Sequence, residues 1–204
     1  EKYSQVRSTS GKTGREVAEE ILHANGIYDV DVVKGEGFLT DHYDPNKKVV
    51  CLSPANFDRP SVAGTAIAAH EVGHAIQHQQ GYAFLRFRTA LVPLANIGSS
   101  LSYIIIMAGI FLTALGSAFG STALWIGAGL MSLAVLFSIV TLPVEFDASS
   151  RAMKQITALN IVNEKEYKHA RKVLSAAAMT YVAATATAVA ELVRIILLAR
   201  ASDN

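Results

Sequence analysis

Between residues 101 and 143 the sequence has no Asp, Glu, Lys, Arg or His. Over the whole chain, charged residues make up only 17% against 51% apolar, which is too apolar for an ordinary soluble domain. The formal net charge is +1, with no basic stripe of the kind a nucleic-acid footprint requires. Cysteine is nearly absent as well. A single Cys51, in "KVVCLSP", excludes an internal disulfide scaffold and reads as a packed apolar residue. No internal repeat is visible.

The charge-free run is long enough to decide its own architecture. As helix it would reach about 65 Å, and one bilayer crossing needs about 30 Å of apolar length. Two crossings fit, near 101–116 and 122–142, with "GSAFGST" (116–122) as the reversal point. The frequent Gly, Ala and Ser suit close helix contact in lipid. The missing charges also argue against an ion path, and so against a transporter or channel subunit. A further apolar run, 173–199, holds Glu191 and Arg194 at pairing distance on one helix face. It reads as a third crossing or as a helix packed on the hairpin, with the membrane helix preferred.

Elsewhere the signals are those of a small globular part. "TGREVAEEILHANG" has capping-box spacing at Thr13 and Glu16, an apolar stripe of Val17, Ile21 and Leu22, and Gly26 where a helix would stop. Residues 27–33 and 49–54 read as strands around the turn-rich stretch 34–48, and a long helix runs from Ser61 to about Gln80. The predicted fold class is a mainly α membrane protein, in which a small β-hairpin or sheet precedes an HExxH helix. A transmembrane helical hairpin and a C-terminal apolar helix follow. The parts are 1–90 (zincin-like, with the HExxH helix), 91–143 (hairpin), 144–172 (third-ligand segment and polar helix) and 173–204 (apolar helix and tail).

The chemistry is concentrated in "AAHEVGHAIQHQQGY" (68–82). His70 and His74 stand one helical turn apart, so both imidazoles can bend onto one zinc. Glu71 points to the side of that pair, where it can take a proton from a zinc-activated water. His78 lies about 12 Å from His70 along a straight helix and is expected at the surface or behind the ligands. The third ligand must come from elsewhere. Glu145 and Asp147 stand out because a hairpin returns the chain to the face it left, and a carboxylate would complete a His₂Glu site open to water.

Four stretches together resemble the YugP-type membrane zinc metallopeptidases: "LTDHYDP" (39–45), "AAHEVGHAIQH" (68–78), "LPVEFDASSRA" (142–152) and "AAAMTYVAA" (176–184). The resemblance implies Zn2+ held by His70, His74 and Glu145, with Glu71 as the catalytic acid/base. It also implies an N-terminal transmembrane helix upstream of Glu1. A partial likeness to the HtpX-type and CAAX-protease gluzincins expects an Asp four residues after the ligand Glu, where this chain has Ser149. Asp147, two residues on, would face elsewhere on a helix, which leaves open what orients the histidines.

These readings converge on an integral-membrane zinc endopeptidase acting on peptide or protein substrates, with the lipid bilayer as its other partner. The alternative is a non-catalytic zinc-bearing scaffold or regulatory subunit, which would have no use for Glu71. Candidate donors to the tetrahedral intermediate are Arg151, Tyr181, His169 and Arg171. The "VVCLSP" strand is either an edge open to substrate backbone or an interior strand. Arg86, Arg88, Arg151 and Lys154 flank the hairpin and its loop has no cation, so the catalytic side is expected to face the cytoplasm across the cell membrane.

Overall fold

The computed structural model describes residues 2–203 and is mainly helical, with one small sheet. After a short 3-10 turn the order is α1 (Gly14–Ala24), β1 (Asp31–Lys34), β2 (His42–Asp44), β3 (Val49–Leu52), α2 (Pro54–Asp58), α3 (Val62–Gln79), α4 (Ala83–Ala114), α5 (Phe119–Ala158) and α6 (Glu164–Ser202). The chain forms two compact units, residues 1–83 with 144–179, and residues 84–143 with 180–204.

The first unit is built around α3. Its core joins Val17, Ile21 and Leu22 of α1, Val50 and Leu52 of β3, Val72 and Ile76 of α3, and Ile156 of α5. α1 begins in the expected capping box: the Thr13 hydroxyl accepts from Glu16 N–H, and the Glu16 carboxylate accepts from Thr13 N–H at 2.8 Å. It stops before Gly26, whose φ of +69° is a conformation that costs glycine little. The polar N-terminal segment is tied down as well. Thr9 donates from its backbone N–H and its hydroxyl to the two oxygens of the buried Glu166, at 2.6 and 2.7 Å.

The sheet departs from expectation in three ways. The first strand starts at Asp31, later than the predicted 27–33. The turn-rich stretch supplies a strand of its own, β2, and α2 follows β3 directly. β3 is the central strand, parallel to β1 and antiparallel to β2. Both of its edges are therefore paired, and of the two readings of "VVCLSP" the interior strand is the correct one. Its short apolar run is what a strand covered by helices requires. Asp41 fixes the exit from β3: its carboxylate accepts from Ser53 N–H at 2.8 Å and from the Asn56 side chain at 3.0 Å.

In the second unit α4 and the first part of α5 form a helical pair. Its reversal includes Gly116 (φ +71°), within the expected turn. The two helices approach closely at glycine: a Cβ on Gly98 would meet Leu130 O at 2.7 Å. Ile106, Leu124, Ala128, Ile195 and Ala199 make a second core, while Ile104, Phe111 and Ile126 face outward. Residues 173–199 lie within the single helix α6, where Arg194 donates to Glu191 at 2.6 Å. α4, α5 and α6 are each long and apolar enough to cross a membrane.

Candidate metal centre

α3 brings three polar groups of one motif to the inner side of the first unit. His70 is partly buried, and Glu71 and His74 are buried. The His70 and His74 rings meet edge to face with centroids 4.8 Å apart. Into the same space α5 carries Glu145, which is only 2% exposed. Its Oε2 lies 3.2 Å from His70 Nε2 and 3.7 Å from His74 Nε2. One donor atom from each residue falls within 4.8 Å of the others. Ligands at zinc bond lengths around a tetrahedral ion stand about 3.4 Å apart, a spacing that the two Glu145–imidazole distances bracket.

The outward nitrogens of both rings are also held. Gln77, fully buried, donates its amide NH2 to Val144 O and to Asp147 Oδ2, both at 2.8 Å. Those two partners only accept, so the Gln77 carbonyl must be the end that faces His74 Nδ1, at 3.0 Å. His74 therefore carries its proton on Nδ1, which leaves the Nε2 lone pair directed at Glu145 and at any ion there. His70 Nδ1 lies 3.1 Å from the Ser149 hydroxyl, which can accept in the same way.

Asp147 faces away from Glu145 on α5, as a two-residue step on a helix requires. It nonetheless reaches the centre, through Gln77. Arg151 stands behind it, donating from Nε to Asp147 Oδ2 at 2.5 Å and from its terminal nitrogen to Gln80 Oε1 at 2.6 Å. Its guanidinium also lies over the Tyr82 ring, 5.7 Å from the centroid. Arg151 thus contacts Asp147, the partner of Gln77, and none of these contacts is with the His70–His74–Glu145 group. Tyr181 lies on α6 in the second unit, His169 packs against Tyr3 with centroids 4.7 Å apart, and His78 is exposed with Nδ1 2.8 Å from the Tyr43 hydroxyl.

Close approach of α3 and α5 depends on Gly73, inside the motif. A Cβ there would stand 2.6 Å from Ala148 O and 3.2 Å from Ala148 C. Burial pushes the Glu71 carboxyl up to about 7, reinforced by the negative charge of Glu145 and opposed by His70. Sequence reasoning missed Gln77 and Gly73. The signal for Gln77 was its i+3 position from His74, which puts the two side chains on one helix face.

Residues 1–200 match the sequence profile of the family described as "Putative neutral zinc metallopeptidase". The chain belongs to that family. Among curated relatives, "Putative membrane protease YugP" of Bacillus subtilis (strain 168) is 43% identical over 198 residues, covering 97% of this chain and 85% of the relative. No solved structure matches. The family is one of zinc peptidases, and the metal it implies suits the His70–His74–Glu145 group. Peptide or protein substrates follow from family membership, and the relative's name together with the three apolar helices fits a cell-membrane protein.

Proposed function

We propose that this chain is an integral-membrane zinc endopeptidase in which His70, His74 and Glu145 hold the metal and Glu71 is the general base. The observation that carries the reading is the convergence of two helices on one donor set, with Glu145 Oε2 within 3.7 Å of both imidazoles. When bound, zinc supplies Lewis-acid polarisation of the scissile carbonyl and of a water molecule. Glu71 takes the proton of the attacking water and returns it to the leaving amine. Its place beside His70, outside the ligand group, supports that role. Gln77 and Ser149 keep the Nδ1 protons in place, so both Nε2 atoms stay available as ligands. Arg151, through Asp147 and Gln80, holds α3 against α5.

The test is Glu71→Gln in the full chain, assayed for zinc content and for cleavage of a peptide library. Full zinc with cleavage reduced by about 10²–10⁴-fold supports the assignment, and undiminished cleavage rejects it. Tyr181→Phe in the same assay decides the phenol's candidate role as donor: kcat falls at unchanged zinc content if it has that role.

The cations Arg86, Arg88, Arg151 and Lys154 flank the α4–α5 apolar pair and support a cytoplasmic catalytic side. Proteolysis of the first unit only after membrane rupture agrees with this, and proteolysis in intact cells contradicts it.

A further inference from the structure

We propose that the groove between the end of α5 and the start of α6 binds an anionic glycerophospholipid drawn from the bilayer. The groove lies wholly within the first unit and has a volume of about 980 Å³, at the upper end of the size range of small-molecule sites. Its two walls, joined by the short segment 159–163, carry the same order of chemistry.

On α5 the wall runs from Phe146, just beyond the charge-free segment, through Ser149 to Lys154. On α6 it runs from Met179 and Ala178, within the apolar run, through Ser175 to Arg171. Each cation stands eight residues from the apolar end of its wall, about 12 Å along a helix. On each wall the exposed apolar end is followed by a hydroxyl and then by a cation, with Met153 and Leu174 set between them and Thr157, Ala158 and Tyr167 beyond. A glycerophospholipid has the matching sequence of acyl chain, glycerol ester and phosphate.

Charge selects the headgroup. Lys154 and Arg171 are exposed, and neither forms an ion pair among the described residues. Two uncompensated cations on one groove favour an anion over a zwitterion. At the other end, Phe146 and Met179 are 49% and 58% exposed, apolar surface that an acyl chain would cover.

The experiment is native mass spectrometry of the detergent-solubilised full chain, titrated separately with phosphatidylglycerol and phosphatidylcholine. Wild type is expected to retain one phosphatidylglycerol in preference to phosphatidylcholine. Lys154→Gln and Arg171→Gln are each expected to weaken that retention about fivefold, while Lys165→Gln, outside the groove, leaves it unchanged. Unchanged zinc content and melting temperature in each variant show that it is folded, and Lys154→Arg, which keeps the charge, is expected to retain the lipid. Equal retention of the two lipids overturns the proposal, and so does wild-type retention in both Gln variants. A raised KM for acidic peptides at unaltered lipid binding also overturns it, and makes the groove a substrate subsite instead.

Discussion

His74 Nδ1 lies 3.0 Å from Gln77 Oε1, and the other end of the Gln77 amide is fixed by two acceptors of α5. One buried side chain therefore sets both the tautomer of His74 and the contact of its helix with the helix that carries Glu145. If these residues hold the metal as proposed, its affinity and the packing of α3 on α5 are coupled.

Gln77→Ala is expected to weaken zinc binding by about 10–100-fold and to lower stability by about 1–3 kcal/mol, since Val144 O and Asp147 each lose one donor. Competition with a fluorescent zinc chelator reads the first effect and thermal unfolding the second. Wild-type affinity in this variant would refute the role given to Gln77.

Ser149→Ala removes a single acceptor from His70 Nδ1, at a partly buried position. A smaller fall in zinc affinity than in Gln77→Ala is expected from the same competition assay, with little change in melting temperature. A larger fall than in Gln77→Ala would reverse the ranking of the two histidine supports.

At Gly73, an added methyl meets the Ala148 backbone, which cannot rotate aside. Gly73→Ala is expected to cost about 1–3 kcal/mol by overpacking and to displace Glu145 from the histidines, so zinc affinity and melting temperature drop together. A variant that melts early yet binds zinc normally would separate packing from ligand placement.

Much of this architecture was legible because local chemistry is decisive where it is strong. The Thr13–Glu16 cap, the glycine stop at Gly26, the helix carrying His70 and His74, and the long apolar helices all follow from short-range patterns. β2 was hidden because His42–Asp44 is a three-residue strand in a polar stretch, and pairing with β3, not propensity, makes it a strand. The support of the histidines was hidden for another reason. Asp147 acts through Gln77, a contact between α3 and α5 that spacing along either helix does not reveal. Glu145 was visible as a candidate because a helical pair returns the chain to its starting face and because "LPVEFDASSRA" carries the family resemblance.

Thr13→Ala removes the acceptor at the start of α1 and is expected to lower stability by about 1 kcal/mol. Zinc affinity should stay at the wild-type level, since α1 supplies none of the donor atoms. Chemical denaturation checks the first statement and the chelator competition the second; an altered zinc affinity would mean that α1 shapes the centre directly.

The most direct test of the central claim is zinc K-edge X-ray absorption with metal titration, on wild type and on Glu145→Ala. The account expects one zinc per wild-type chain, with two imidazole nitrogens and a carboxylate oxygen in its shell, and an affinity loss beyond about 100-fold in the variant. Wild-type affinity and an unaltered shell in Glu145→Ala would contradict it.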